Sequence, residues 1–194
     1  REGSYIITVF LRTHYPYSGT EEIMRTKLER IMEISATTPK PEFTSLYHLI
    51  NIEMLKQCHK ELDGSKAVGI DKVTKAEYEE HLEDNLTNLV SKLKNKAYKP
   101  LPSLRVFIPK ANGKKRPLGI ASYEDKIVQL AVKKILEAIY EPRFLNCMYG
   151  FRPNRGCHDA IKEVQYQINK RCINYVVDAD IKGFFDHMSH EWMM

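Results

Sequence analysis

The stretch from Leu104 to Ala121 constrains this chain more than any other. Leu104 to Pro109 (LRVFIP) alternates and is rich in β-forming residues, and Arg116 to Ala121 (RPLGIA) answers it. Between them Ala111-Asn112-Gly113-Lys114 supplies the turn. Asn-Gly tolerates the left-handed backbone that reverses a chain tightly, so the spacing predicts an antiparallel hairpin. Helical periodicity surrounds this ribbon on both sides. The expected class is therefore α/β of the α+β kind, with a small sheet set among helices.

The helices read as follows. From Thr20, Met24, Leu28, Ile31 and Ser35 fall on one face, until Thr37-Thr38-Pro39-Lys40-Pro41 breaks the pattern. Thr44 or Ser45 is placed to cap a second helix, which runs to about Leu62 and stops at Asp63-Gly64. Ala67 to Thr74 (AVGIDKVT) is a loop with Gly69 as its hinge. Tyr78, Leu82, Leu86, Leu89 and Leu93 predict a third helix, closed by Pro100 and Pro102. Ser122 to Asp125 (SYED) is a capping box. The helix behind it, to about Tyr140, is apolar round a wide arc, which predicts packing on several sides. Tyr149 to Gly156 (YGFRPNRG) is a loop, Ile161, Val164 and Ile168 mark another helix, and Asn174 to Ile181 reads as a strand. Residues 1–19 hold a short apolar strand and then a turn-like H-Y-P-Y-S-G.

Hydrophobic residues make up 43% of the 194 and charged residues 28%, which fits a globular chain rather than a disordered one. No apolar run approaches the ~18–20 residues of a membrane span. Tyr5 to Leu11 (YIITVFL) is too short, and lacks the basic start of a signal peptide. No two of Cys58, Cys147, Cys157 and Cys172 are spaced C-x-x-C, so free thiols in a reducing cytosol are expected rather than a zinc site.

Charge is informative through its distribution. No acidic residue occurs between Asp84 and Glu124, an interval holding Lys92, Lys94, Lys96, Lys99, Arg105, Lys110, Lys114, Lys115 and Arg116. Such a field faces a polyanion or a solvated helix surface whose counter-charges come from elsewhere in the fold. Acidic residues gather at the other end of the chain. Asp178 and Asp180 share one face of the expected strand, with Asp186 beyond Phe184 and Phe185. Taken alone, an Asp-x-Asp is more often a surface or capping pair than a metal site.

The neighbours change that reading. D-A-D-I-K-G-F-F-D-H resembles the first palm motif of reverse transcriptases, in the form encoded by bacterial group II introns. R-V-F-I-P-K-A-N-G-K-K-R-P-L-G-I-A resembles the fingers hairpin of that family. Y-E-D-K-I-V-Q-L-A, Y-G-F-R-P and G-I-D-K-V-T match further ordered elements. The resemblance runs from about Lys27 onward. It implies an N-terminal extension over residues 26–66, fingers over 67–172 and the start of a polymerase palm sheet over 173–194, with 1–25 unmatched.

It also implies roles. Asp180 would be a catalytic carboxylate holding Mg2+ in a two-metal site, helped by the carbonyl of Ile181. Lys110 and Arg116 would bind the incoming dNTP, with Phe185 beneath its sugar and Ile181 close by. Lys114, Lys115, Arg105, Arg152 and Arg155 would contact RNA. The implied activity is RNA-directed DNA polymerase, with a maturase role in intron splicing and mobility. The implied partners are RNA template, intron RNA, DNA primer or cDNA, and dNTP, in the bacterial cytoplasm and without a membrane.

The family's second acidic motif, an aromatic followed by x-Asp-Asp, does not occur here. The expectation is a piece of a longer protein, catalytically incomplete by itself, whose open sheet edge invites pairing with a second copy. A non-catalytic RNA-binding module, or a retron-type or other bacterial reverse transcriptase, are the alternatives. The sequence departs from the usual pattern at Met148, Asn154 and Gly156, at Leu104-Arg105, and at Lys72, where the family element reads D-G-V-T.

Overall fold

The computed structural model describes residues 19–109, 113–184 and 187–193. It divides into two compact units, residues 1–144 and 145–194.

The first unit is a helical core carrying the hairpin. Helix α1 (Gly19–Thr37), α2 (Ile52–Glu61), α3 (Lys75–Glu80), α4 (Leu82–Lys94) and α5 (Tyr123–Tyr140) supply the helices. Met24 and Ile31 of α1, Leu55 and Cys58 of α2, Leu86 and Leu89 of α4, and Ile127 and Ala131 of α5 are buried together. The predicted face of α1 is thus the one that packs, and it carries a polar residue with it. The buried Ser35 hydroxyl donates to the Ile139 carbonyl of α5. Arg143 closes the C-terminal end of α1, donating to the carbonyls of Ser35, Thr38 and Pro39. The Ser35 carbonyl lies in the last turn of α1, where a helix leaves carbonyls without partners, and Thr38 and Pro39 follow the helix.

Three local expectations are corrected. The second helix starts later than Thr44 or Ser45. A short 3-10 turn, Tyr47–Leu49, intervenes, and the cap is Asn51, whose side chain accepts from the Met54 amide at 2.9 Å. The helix expected over Tyr78 to Leu93 is two helices, broken at His81 (φ −125°, ψ 37°). The Asn85 side chain donates to the Tyr78 carbonyl at 3.1 Å, satisfying a group freed by that break. Finally, α5 is buried along Ile127, Ala131 and Ile135, yet Val132, Leu136 and Tyr140 are exposed. Its wide apolar arc is covered on one side only among the described residues.

Strands β1 (Leu104–Pro109) and β2 (Lys115–Ile120) pair antiparallel, Leu104 with Ile120 and Pro109 with Lys115. Gly113 takes φ +75° in the connection, as the Asn-Gly signal requires. Five of the six residues of β2 and all of β1 are exposed. Pro109 and Pro117 have no amide hydrogen to offer a further strand, which suits a ribbon that stays two-stranded.

The second unit holds α6 (Cys157–Lys170) and a terminal turn, α7 (His190–Met193). Asp159 accepts from the Gly156 amide at 2.9 Å and caps α6. No described residue of this unit is buried. The strand expected over Asn174 to Ile181, and with it the start of a palm sheet, is not formed: that segment has no regular structure, and Tyr175 and Val177 are each 88% exposed. A helix satisfies its backbone internally, whereas a strand needs a neighbour to complete its ladder. Among the described residues none is supplied.

Candidate nucleic-acid interface

The hairpin register sorts the basic side chains by face. Partners across the ribbon point the same way and successive residues point oppositely. Arg105, Phe107 and Pro109 therefore share a face with Lys115, Pro117 and Gly119. Arg116 stands on the other, with Ile108 beside it and Val106 and Leu118 next along. Arg105, Lys115 and Arg116 are all exposed. Two cations on one side and one on the other give a ribbon that can meet one anionic group on each face. Lys114 lies at the turn; Lys110, expected as the second nucleotide ligand, lies outside the described residues.

The 145–156 loop is knitted by its own arginines. Arg152 Nη1 donates to the carbonyls of Leu145 at 2.8 Å and Met148 at 3.0 Å. Arg155 Nη1 donates to the Asn146 carbonyl at 2.6 Å, and its guanidinium lies over the Tyr149 ring, 5.4 Å from the centroid. These side chains, expected to face RNA, thus spend donors on holding the loop. What the loop presents instead is Phe151, fully exposed and at φ +58°. Asn154 also takes φ +58°. At this departure from the family pattern, asparagine is among the residues that best tolerate a left-handed backbone.

Asp178, Asp180 and Ile181 are exposed on the irregular segment. Phe185 and Asp186 lie outside the described residues, and Phe184 is half exposed rather than core. Among the described residues no group of three or more His, Cys, Asp or Glu side chains is placed to hold a metal ion. The expected site residues are thus distributed over a hairpin in the first unit, and a loop and an open segment in the second.

Sequence reasoning missed a polar knot beneath the loop Ala67–Thr74. Gly69 packs so close to the start of α5 that a Cβ there would lie 2.6 Å from Ser122 Cα. The buried Asp125 gathers the Ser122 hydroxyl at 2.7 Å, the Leu101 amide at 3.1 Å and the Tyr98 hydroxyl. Three groups from two segments meet at one carboxylate, which fixes the approach of the hairpin's first strand to α5. The S-x-x-D signal was visible, but its aspartate does more than cap. Nearby, Tyr123 bonds His59 Nδ1 at 2.9 Å. Burial, and then the Lys75 charge, lower the His59 pKa.

Comparison with known proteins places this geometry. The model described as "Reverse transcriptase (RNA-dependent DNA polymerase)" matches residues 108–194, from the hairpin to the carboxylate segment. Group II intron-encoded protein LtrA of Lactococcus lactis subsp. cremoris is 36% identical over 165 residues, 84% of this chain. The chain belongs to the group II intron-type reverse transcriptase family. Protein YkfC of Escherichia coli is 39% identical over 134 residues, 68% of the chain, and an uncharacterized 91 kDa protein in the cob intron of Schizosaccharomyces pombe is 40% identical over 108 residues, 56% of it. The chain spans 27% of LtrA, 35% of YkfC and 13% of the yeast protein. No helix among the described residues is long and apolar enough to cross a membrane.

Against this family the Lys72 departure acquires a physical meaning. Lys72 sits at φ +59°, a left-handed backbone that glycine adopts freely and a side-chain-bearing residue at a cost of about 1–2 kcal/mol.

Proposed function

We propose that this chain is the nucleic-acid-gripping part of an RNA-directed DNA polymerase, and that it carries one carboxylate of that enzyme's metal site. The observation that carries the reading is the exposed, two-faced basic ribbon. Arg105 and Lys115 would hold template phosphates on one face. Arg116 would hold the triphosphate of a dNTP on the other, where a guanidinium can grip phosphate through two hydrogen bonds. Lys110 would join it. Phe151, with the loop of Arg152 and Arg155, would stack on unpaired template bases.

Asp180 and the Ile181 carbonyl are hard oxygen donors of the kind Mg2+ takes. They fit the metal in kind and supply only part of its shell. When bound, two Mg2+ ions would polarise the phosphate and favour ionisation of the attacking hydroxyl. This chain's share is to present the Asp180 charge, with Phe185 in the position that selects the sugar. In this scheme residues 26–66 form an N-terminal extension, 67–172 the fingers and 173–194 the start of the palm. Intron RNA, a splicing role, a cytoplasmic location and pairing with a second copy belong to the same proposal. A second reading, RNA binding without polymerisation by this chain alone, is favoured by the unpartnered carboxylate segment.

The test is salt dependence of RNA affinity, followed by fluorescence anisotropy on a single-stranded oligonucleotide. If about six phosphates are neutralised, log K should fall with log salt at a slope of about −4 to −5. Lys114→Ala with Lys115→Ala should flatten it by about one to two units. An unchanged slope removes the hairpin tip from the interface.

A further inference from the structure

The first unit contains a cavity of about 730 Å³ that the ribbon and the carboxylate segment do not use. Its lining includes Asp71, Lys72, Tyr78, Asn85, Lys99 and Leu101. The volume is that of a small-ligand pocket. Most of its charged lining is already committed. Glu77 accepts from the Thr74 amide at 2.8 Å and the Thr74 hydroxyl at 2.9 Å, Asp125 already accepts the three hydrogen bonds described above, and Lys92 pairs with Glu124 at 3.7 Å.

What remains is specific. Asp71 Oδ1 is shielded from bulk water and has no hydrogen-bond partner, and the Tyr78 hydroxyl, equally shielded, has only the Glu124 carboxylate near it. Tyr78 is 94% buried, by its 6% exposure. Native interiors rarely leave such groups unmet. Lys72 and Lys99 are exposed, with no ion-pair partner among the described residues. Lys72 is held in a backbone conformation that disfavours it, and such strain concentrates at functional sites. The ligand must therefore bring hydrogen-bond donors for a carboxylate and an anionic group for two lysines, with a flat apolar body to lie among Tyr98, Leu101 and Val73.

We propose that this cavity takes a guanine nucleotide standing unpaired in bound RNA. Guanine alone among the common bases presents two adjacent N–H donors, N1 and N2, on its pairing edge, and a carboxylate accepts both. Its 5′-phosphate meets Lys72 and Lys99. Unpaired bases are read in this way, on their edges and by stacking. The proposal rests on the RNA-binding reading for its source of ligand, but the pocket's chemistry does not.

The test uses the full chain with tyrosine ring signals followed by NMR. Guanosine 5′-monophosphate at ~1 mM should shift the Tyr78 and Tyr98 signals saturably. Adenosine 5′-monophosphate should bind roughly five- to a hundredfold more weakly. Asp71→Asn should abolish that preference, and Lys99→Ala should reduce the advantage of the monophosphate over guanosine while leaving the fold intact. A uridine octamer with one central guanosine should bind more tightly than one with adenosine, and Asp71→Asn should remove the difference. Equal binding of the two nucleotides, no shift with either, or both variants behaving as wild type overturns the pocket. Binding of the monophosphate without any effect of guanosine in the octamer overturns its assignment to RNA. A chain that prefers the guanine nucleotide yet shows no salt-dependent RNA affinity keeps the pocket and defeats the polymerase reading.

Discussion

The unit of residues 1–144 buries side chains from α1, α2, α4 and α5, while that of residues 145–194 buries none among those described. Yet both contain helices with clear caps and periodic apolar faces. Ile161, Val164 and Ile168 form as regular a face on α6 as Met24, Ile31 and Ser35 do on α1, and remain 61%, 54% and 47% exposed. Local signals are enough to make a helix, because its backbone bonds are internal. Burial, and any strand, need a neighbour. Asn174 to Ile181 has the composition of a core strand and lies open.

The sharpest way to break this comparison is to cut matched leucines and isoleucines. Leu55 and Leu86 are each 0% exposed. Leu55→Ala should cost about 2–5 kcal/mol in denaturant unfolding followed by circular dichroism. Ile161→Ala, the same kind of truncation on α6, should stay within about 0.5 kcal/mol. Equal costs would mean that α6 is packed in solution.

Thiol chemistry draws the same line. Cys58 is buried in the first unit, and burial pushes its pKa up to about 12, while Cys147, Cys157 and Cys172 are all exposed in the second. Three thiols should react with Ellman's reagent in the native chain, and the fourth only after unfolding, since the thiolate is the nucleophile. Fast reaction of all four would place Cys58 at the surface.

Much of the fold was legible because its signals are local. The hairpin followed from strand propensity and Asn-Gly, and α1, α5 and α6 from period and capping. The break at His81 was not legible, since Tyr78 to Leu93 keeps a helical period across it. Nor was the strained Lys72 visible as strain, because a left-handed φ at lysine is a property of the folded loop and not of its residue types. The candidate site was legible by type: Arg105, Lys115 and Arg116 are exposed as expected. The structural use of Arg152 and Arg155 was hidden, because their acceptors are loop carbonyls that no motif names. Asp71 and Tyr78 were missed because a cavity is a property of packing.

A smaller effect sharpens the picture of the first unit. His59 is buried against Tyr123 and its pKa is lowered below the ordinary 6.5. Below pH 6.5 the unfolded chain binds the proton more readily than the folded one. Stability should therefore be fully present above about pH 6.5 and fall as the pH drops toward the lower folded value. His59→Gln should lessen that decline in thermal melts between pH 7 and 5. An unchanged slope would assign the acid sensitivity to carboxylates.

The central claim is that the open segment carries a catalytic carboxylate whose partners come from the rest of a palm. It is tested most directly by primer extension in a chimera where this chain replaces the matching residues of LtrA. Asp180 is exposed and makes no hydrogen bond or ion pair among the described residues, so Asp180→Asn should leave the thermal midpoint and RNA affinity in place. DNA synthesis should fall by roughly several orders of magnitude, because a neutral amide does not replace a carboxylate on Mg2+. A folded chimera that carries Asp180→Asn and extends the primer at near the parental rate would contradict the account.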